Sequence, residues 1–87
     1  MKTTTELLKI LQENLNVIFY KTHCPFCVRA EEEFEKLIKN REIKKYKKLI
    51  LSEDFDNETL TEVVKQFGWD EQRPFATKPQ IFLKGKY

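Results

Sequence analysis

Hydrophobic and polar positions follow two different periods along this chain, and these periods predict helices and strands in alternation. A Thr3-x-x-Glu6 capping box precedes apolar residues at helical spacing, which predicts a first helix over about residues 4–14. The run Val17–Tyr20 is short, continuous and rich in β-branched and aromatic residues. It therefore predicts a strand that is buried on both faces, as in a parallel sheet.

A second helix and a second strand follow. Because proline is well tolerated at the first helical position, Cys24-Pro25 predicts a helix that begins here with Cys24 near its N-cap. One face of this helix is apolar and consists of Cys27, Ala30, Phe34, Leu37 and Ile38. The next strand is predicted over about residues 46–51.

The last third of the chain predicts one more helix and one more strand. Asp56 or Asn57 can cap the helix, and Gly68 stands where a C-terminal glycine cap belongs. A polar segment over residues 69–78 leads to a strand over residues 79–83, and Gly85 then predicts a turn. That strand starts with a proline, which strands accept at their first position.

The order of predicted elements is α-β-α-β-α-β, which indicates an α/β fold. A strand–helix–strand unit of this length requires a right-handed crossover and parallel pairing of its two strands. Cys24 then lies at the carboxyl end of the first strand and on the first turn of the helix that follows. Ligand chemistry in open α/β sheets concentrates at that edge.

Length, composition and charge exclude several classes of protein. The 87 residues, 40% of them hydrophobic and 34% charged, predict one globular domain over residues 1–87. The net charge of +2 is too weak to indicate nucleic-acid binding, and no apolar run approaches the roughly 20 residues of a membrane span. The first residues lack the apolar segment and cleavage site of a signal peptide, so we expect a cytoplasmic protein.

The only two cysteines, Cys24 and Cys27, are spaced C-x-x-C, which fits either half of a metal site or a redox-active pair. Structural zinc requires four ligands, and besides the cysteines only His23 is near. Because adjacent residues rarely bind one ion together, we expect no metal held within one chain. An iron–sulfur cluster shared between two chains remains open as an alternative.

The position of Cys24 favours the redox interpretation. A thiol attacks disulfides only as a thiolate, so its usual pKa of about 8.5 must fall. Backbone N–H groups at the helix N-terminus stabilise an anion, and Lys21 adds positive charge if its side chain turns toward the sulfur. Cys27 lies almost one turn further on and on the inward face, which predicts that Cys24 attacks and Cys27 resolves the mixed disulfide.

Two segments carry a family resemblance. Residues 21–27, Lys-Thr-His-Cys-Pro-Phe-Cys, resemble the active-site segment of glutaredoxins, and residues 77–82, Thr-Lys-Pro-Gln-Ile-Phe, resemble that family's Thr-Val-Pro-Gln-Ile-Phe signature. The resemblance covers about residues 16–85 and implies a thioredoxin-like three-layer α/β/α fold with a mixed sheet. This chain adds an N-terminal helix. It ends before the family's Gly-Gly and Asp-containing turn, last strand and last helix, as either a truncated or a naturally short chain would.

The resemblance also implies roles for particular residues. Cys24 corresponds to the nucleophile, Cys27 to the resolving cysteine, and Lys21 to a lysine near the glycine carboxylate of glutathione. The remaining residues implied to bind glutathione lie in the second half of the chain and are Gln72 or Arg73, Thr77, Lys78 and Pro79. Lys78 stands where the family has a valine that binds glutathione through its backbone, so its side chain is expected to matter less. Pro79 corresponds to a cis-proline beside the nucleophile.

The implied activity is glutathione-dependent reduction of protein disulfides and of glutathione mixed disulfides. Glutathione would serve as co-substrate, ribonucleotide reductase is an expected protein partner, and we expect a monomer. Phe26 replaces the family's commoner tyrosine, and residues 73–76 resemble an insertion. Two alternatives stay open: a redoxin that is recharged by thioredoxin reductase, and the iron–sulfur module described above.

Overall fold

The computed structural model describes residues 1–70 and 72–87, and position 71 of the predicted polar segment lies outside the described residues. Helices and strands alternate as the sequence predicts. The elements are α1 (Thr4–Glu13), β1 (Val17–Tyr20), α2 (Pro25–Lys39), β2 (Lys47–Ile50), α3 (Asn57–Lys65) and β3 (Gln80–Phe82).

Side chains at the N-caps fix where α1 and α3 begin. The Thr3 hydroxyl accepts the Glu6 N–H at 3.2 Å, and the Glu6 carboxylate accepts the Thr3 N–H at 3.0 Å, so the predicted capping box is present. Of the two candidates for α3, Asp56 is the N-cap, and its carboxylate accepts the Thr59 N–H at 2.8 Å. These bonds satisfy N–H groups that a helix start leaves without partners.

Gly68 ends α3 as the sequence predicts. Its φ of +109° lies in the region that favours glycine. The Trp69 N–H donates to the Val64 carbonyl at 3.1 Å, and the Gly68 N–H donates to the Lys65 carbonyl at 3.4 Å. This pair of bonds is the Schellman pattern, which turns the chain away from the helix.

The sheet is mixed, with β1 in the centre of the order β2-β1-β3. β1 pairs parallel with β2 and antiparallel with β3, where Phe19 lies opposite Gln80. Both outer strands are shorter than predicted. Tyr46 lies outside β2 and stacks on Phe34 of α2, with ring centroids 5.0 Å apart. β3 starts only after Pro79, which has no N–H to donate.

Helices cover both faces of the sheet, which gives the predicted three layers. Because successive strand residues point to opposite faces, Phe19 packs among residues of α1 and α3, whereas Ile18 packs with Phe34 of α2. The Phe19 ring meets Phe55 edge to face at a centroid distance of 5.2 Å. β1 is thus buried on both faces and joins the two apolar clusters.

The chain turns back immediately after β3. Lys84 and Gly85 both have positive φ, 54° and 80°, and hydrogen bonds join Leu83 and Lys86 in both directions. This is the geometry of a two-residue hairpin turn, and it confirms the turn predicted at Gly85. Tyr87 then lies against Phe82, with ring centroids 5.1 Å apart.

Candidate active site

The end of β1 and the start of β3 meet at one edge of the sheet because these two strands are antiparallel. Phe19 pairs with Gln80, so the residues that follow β1 lie beside those that precede β3. α2 begins at this same edge, with Cys24 as its N-cap. The sequence-predicted Lys21, Cys24 and Pro79 are therefore brought to one end of the sheet.

Cys24 is poised for reaction because it is partly exposed and stands at the start of a helix. Its backbone is extended, with φ −116° and ψ 109°, and Pro25 follows at the first helical position. The chain reaches it through His23, which has a φ of +61°. A hydrogen bond from the Cys27 thiol lowers the pKa of Cys24, against a smaller opposing effect of desolvation. Backbone N–H groups of Cys27 and Phe26 and the charge of Lys21 lower it further.

Cys27 differs from Cys24 because it is buried. Its side chain is 0% exposed, and its Sγ accepts the Lys21 N–H at 3.4 Å. Burial raises the pKa of Cys27 to about 11, and the bond that its thiol donates to Cys24 adds to this rise. The two thiols are free, and their pKa values are displaced in opposite directions. The charged form is thus favoured more at Cys24 than at Cys27, and the roles of nucleophile and resolving thiol stay predictions.

The segment before β3 is fastened to α3. The Lys78–Pro79 peptide bond is cis, as the family resemblance predicts. The Ala76 N–H donates to the buried Thr61 hydroxyl at 2.9 Å, and the Gln80 side-chain amide donates to the Thr77 carbonyl at 2.7 Å. These bonds hold Pro79 at the edge that carries the thiols.

The Lys78 side chain makes contacts within the protein that the sequence does not predict. Its ammonium donates to the Asn57 side-chain oxygen and, at 3.3 Å, to the Ala76 carbonyl. Burial lowers the pKa of Lys78, and so does the nearby charge of Lys21. The expectation that Lys78 binds glutathione through its backbone stays a prediction.

Gln72 and Arg73 lie on the loop that follows α3. The Gln72 N–H donates to the Asp70 carboxylate at 2.9 Å, and the Arg73 guanidinium stands 5.7 Å from the centre of the Trp69 ring. Within residues 1–70 and 72–87, neither side chain has a hydrogen bond or ion pair with a cysteine. Their role in glutathione binding stays a prediction.

Sequence reasoning missed the two α3 residues that support this loop, Asn57 and Thr61. The Thr61 hydroxyl also donates to the Asn57 carbonyl at 2.7 Å, so it is fully engaged inside the protein. The sequence does not single out Thr61, because Thr61 and Glu62 both lie between the apolar Leu60 and Val63, and only the structure shows that Thr61 is the buried one. A buried hydroxyl requires a partner, and that partner is the loop.

The structure was also searched for a cleft, a metal-binding group and a membrane-spanning helix. A cleft of about 570 Å³ opens at the opposite end of the sheet, near Asn16 and Lys45, and does not include the thiols. Among the described residues, no group of three or more His, Cys, Asp or Glu side chains is placed to hold a metal ion. No described helix combines the length and apolar character needed to cross a membrane.

The fold and the paired thiols define a thioredoxin-like thiol oxidoreductase. No family model matches the sequence. Glutaredoxin 1 of Salmonella typhimurium (strain LT2) is 38% identical over 73 residues, which cover 82% of this chain and 75% of that protein. The same figures hold for glutaredoxin 1 of Salmonella typhi. The chain belongs to the glutaredoxin family.

One further relative and two solved structures are more distant. Glutaredoxin-C6 of Oryza sativa subsp. japonica is 32% identical over 71 residues, which cover 82% of this chain and 54% of that protein. Oxidized glutaredoxin 2 from Chlamydomonas reinhardtii has a TM-score of 0.67 at 23% identity, covering 95% of this chain and 69% of that one. A buckwheat glutaredoxin–glutathione complex has a TM-score of 0.68 at 23% identity, covering 95% and 66%. At this identity the two structures support the thioredoxin-like fold.

Proposed function

We propose that this chain is a dithiol glutaredoxin that uses glutathione to reduce protein disulfides and glutathione mixed disulfides. The observation that carries the proposal is the opposite displacement of the two thiol pKa values. The pKa of Cys24 is lowered, whereas that of Cys27 is raised to about 11. A partly exposed thiol whose charged form is favoured, followed by a buried thiol that holds its proton more tightly, is suited to two successive exchanges.

The proposed reaction proceeds through a mixed disulfide. The Cys24 thiolate attacks one sulfur of the substrate disulfide, and the other sulfur leaves as a thiolate. With a protein disulfide, Cys27 then loses its proton and attacks Cys24, which releases the reduced protein and leaves a Cys24–Cys27 disulfide. Two molecules of glutathione reduce that disulfide and become glutathione disulfide. With a glutathione mixed disulfide, Cys24 takes up the glutathionyl group, and one further glutathione removes it.

Glutathione is proposed as the co-substrate because of the family and because of the residues at the sheet edge that could bind it. A glutaredoxin from buckwheat has been crystallised as a complex with glutathione. In this chain, Lys21 is proposed to bind the glycine carboxylate, and residues 77–79 are proposed to bind the cysteinyl part. Gln72 or Arg73 is proposed to supply a second carboxylate contact. Phe26, which is 67% exposed, offers apolar surface to a protein substrate.

The partners and setting belong to the same proposal. Ribonucleotide reductase is proposed as one protein that accepts electrons from Cys24 and Cys27, on the strength of the family resemblance. The chain is proposed to act as a single domain, as a monomer and in the cytoplasm. A cytoplasmic setting is supported by cysteine use, because only the two active-site cysteines occur in the sequence.

Two substitutions test the proposal. In a glutathione-coupled assay with a glutathione mixed disulfide as substrate, we expect Cys24→Ser to lose activity because it removes the nucleophile. Cys27→Ser should keep this activity and lose the reduction of a protein disulfide, which requires both thiols. Each variant is therefore the control for the other.

The outcomes also separate the alternatives. Activity that survives in Cys24→Ser would contradict the assignment of the nucleophile. If thioredoxin reductase reduces the Cys24–Cys27 disulfide and glutathione does not, the redoxin interpretation replaces the present one. Visible absorbance of the purified protein would indicate the iron–sulfur alternative.

A further inference from the structure

A basic cleft of about 570 Å³ lies at the end of the sheet opposite the thiols. Its walls are the end of α1 with the residues before β1, the connection from α2 to β2, and the turn after β3. Its lining contains four cations and two carboxylates, so its net charge is positive. The cations are Arg41, Lys44, Lys45 and Lys84, and the carboxylates are Glu13 and Glu42.

One buried side chain fixes the walls of the basic cleft relative to each other. Asn16 is 9% exposed; its amide nitrogen donates to the Lys45 carbonyl at 3.0 Å, and its amide oxygen accepts the Lys84 N–H at 2.9 Å. The Gly85 N–H also donates to the Leu15 carbonyl at 2.8 Å. The cleft is therefore preformed, and its volume lies within the range of ligand sites, about 300–1,000 Å³.

No described carboxylate forms an ion pair with any of the four cations of the basic cleft. By contrast, the Glu13 carboxylate lies 3.9 Å from the Lys9 ammonium. Helix α2 ends nearby, but Lys36 and Lys39 of its last turn already interact favourably with its dipole. Because all four cations of the cleft are also exposed, their charge is available to an anionic ligand.

Two of these cations stand where the backbone favours other residues. Arg41 and Lys84 have φ of +63° and +54°, in the left-handed region that favours glycine and asparagine. Arginine and lysine gain no stability from this geometry, so the backbone does not account for their presence on two walls of the cleft. A ligand that requires their charge would account for it.

The lining of the basic cleft indicates what kind of anion it suits. Apolar surface is present, because Leu15 is 65% exposed and lines the cleft together with Ile43 and Tyr46. The cations belong to two separate walls, which suits several carboxylates along a peptide better than one compact anion. Single-stranded nucleic acid would require free aromatic rings, and Tyr46 is already stacked on Phe34.

We propose that the basic cleft binds a short acidic segment of a partner protein, whose carboxylates meet the four cations while an apolar side chain contacts Leu15. The segment binds at the end of the sheet opposite the thiols, and it therefore leaves Cys24 free to react. The inference is independent of the proposed function, because it requires only the charge and shape of the cleft.

Fluorescence anisotropy of a fluorescein-labelled peptide, Glu-Asp-Leu-Glu-Asp-Leu-Glu-Asp, measures this binding. We expect the anisotropy to rise with protein concentration and to fall as sodium chloride is added, because exposed charges are screened. The matched neutral peptide, Gln-Asn-Leu-Gln-Asn-Leu-Gln-Asn, should bind at least about fivefold more weakly, since it lacks every carboxylate side chain. The acidic peptide with serine in place of both leucines should also bind more weakly, because it lacks the apolar contact.

Two variants remove charge from the cleft without straining the backbone. Arg41→Asn and Lys84→Asn should each weaken binding of the acidic peptide by about two- to fivefold, and the double variant should weaken it more. Their free energy of unfolding in urea should equal or exceed that of the wild type, because asparagine tolerates positive φ. Lys65→Gln removes an exposed lysine at the end of α3 and, as the matched control, should leave binding unchanged.

Alkylation of Cys24 by iodoacetamide tests where the peptide binds. The rate should be the same with and without saturating acidic peptide, because the basic cleft does not include the thiols. Protection of Cys24 by the peptide would place the peptide at the thiol edge and would overturn the inference. Neither assay contains glutathione or a disulfide, so failure of the proposed function would leave both readouts intact.

Other results would also overturn the inference. One is an anisotropy that does not rise up to about 1 mM protein, and another is equal binding of the neutral or the serine-containing peptide. A third is a double variant that binds the acidic peptide as tightly as the wild type, or a Lys65→Gln protein that loses as much affinity as Arg41→Asn. Tighter binding of a labelled single-stranded oligothymidylate, or a dimer in sedimentation that Arg41→Asn dissociates, would assign the cleft to a different occupant.

Discussion

At the scale of single residues, Cys24 and Cys27 are two thiols of one helix turn that differ because their surroundings differ. Cys24 is partly exposed and accepts hydrogen bonds, which lowers its pKa. Cys27 is buried and donates one, which raises its pKa to about 11. The sequence predicted the direction for Cys24 from the helix N-terminus and Lys21. It did not predict that the largest cause is the neighbouring thiol, because a hydrogen bond between side chains depends on their rotamers.

The Cys27 thiol as hydrogen-bond donor leads to a prediction for the reactivity of Cys24. In the wild type, alkylation of Cys24 by iodoacetamide should reach half its maximum rate below the pH of about 8.5 at which a free thiol does so, because the thiolate is stabilised. Cys27→Ala removes the donor, so the midpoint should move upward and alkylation near pH 7 should slow by about three- to tenfold.

Cys27→Ser is the matched control for this measurement, since its hydroxyl can still donate to Cys24. Its midpoint should lie between those of the wild type and Cys27→Ala. Identical midpoints for the alanine and serine variants would mean that donation from position 27 does not stabilise the thiolate.

At the scale of elements, α3 acts as the support for the segment that contains the cis-proline. Thr61 is the link, because its buried hydroxyl accepts the Ala76 N–H at 2.9 Å and donates to the Asn57 carbonyl at 2.7 Å. One side chain thus joins the middle of α3 to a loop that is 15 residues away along the chain. The position of Pro79 therefore depends on a helix that contains neither thiol.

Thr61→Val removes this link while keeping the shape of the side chain. The Ala76 N–H would then be buried without a partner, which should lower the free energy of unfolding by about 1–3 kcal/mol. Urea denaturation measures this loss. Thr61→Ser retains the hydroxyl and should lose less; a Thr61→Val protein as stable as the wild type would show that the hydrogen bond does not stabilise the fold.

The sequence predicted the elements better than their connections. Thr3, Asp56 and Gly68 mark helix ends through local bonds, so the capping positions could be found from a few residues. β2 and β3 were predicted too long, because their ends depend on where Tyr46 packs and on Pro79, which has no N–H to donate to the sheet. The contacts of Lys78 and Thr61 join distant segments and have no local signature.

At the scale of the whole molecule, β1 joins two apolar clusters that serve different purposes. Leu7 of α1 and Phe19 lie in the cluster beneath α1 and α3, whereas Ile18 and Phe34 lie in the cluster beneath α2. α2 carries the thiols at its start, and α3 holds the Pro79 loop from the other face. The site is therefore assembled where both layers meet the same edge of the sheet.

This division predicts that the core under α1 contributes stability and leaves the thiol chemistry unchanged. Leu7 is 0% exposed, so Leu7→Ala should lower the free energy of unfolding by about 2–5 kcal/mol through lost burial and the cavity that remains. The total free energy of unfolding of a domain of this size is about 4–13 kcal/mol, so the loss is readily measured by denaturation.

Leu15→Ala, at a position that is 65% exposed, is the matched control and should cost far less. In the folded Leu7→Ala protein, the pH midpoint of Cys24 alkylation should equal that of the wild type. A displaced midpoint would show that the α1 layer also positions the thiols.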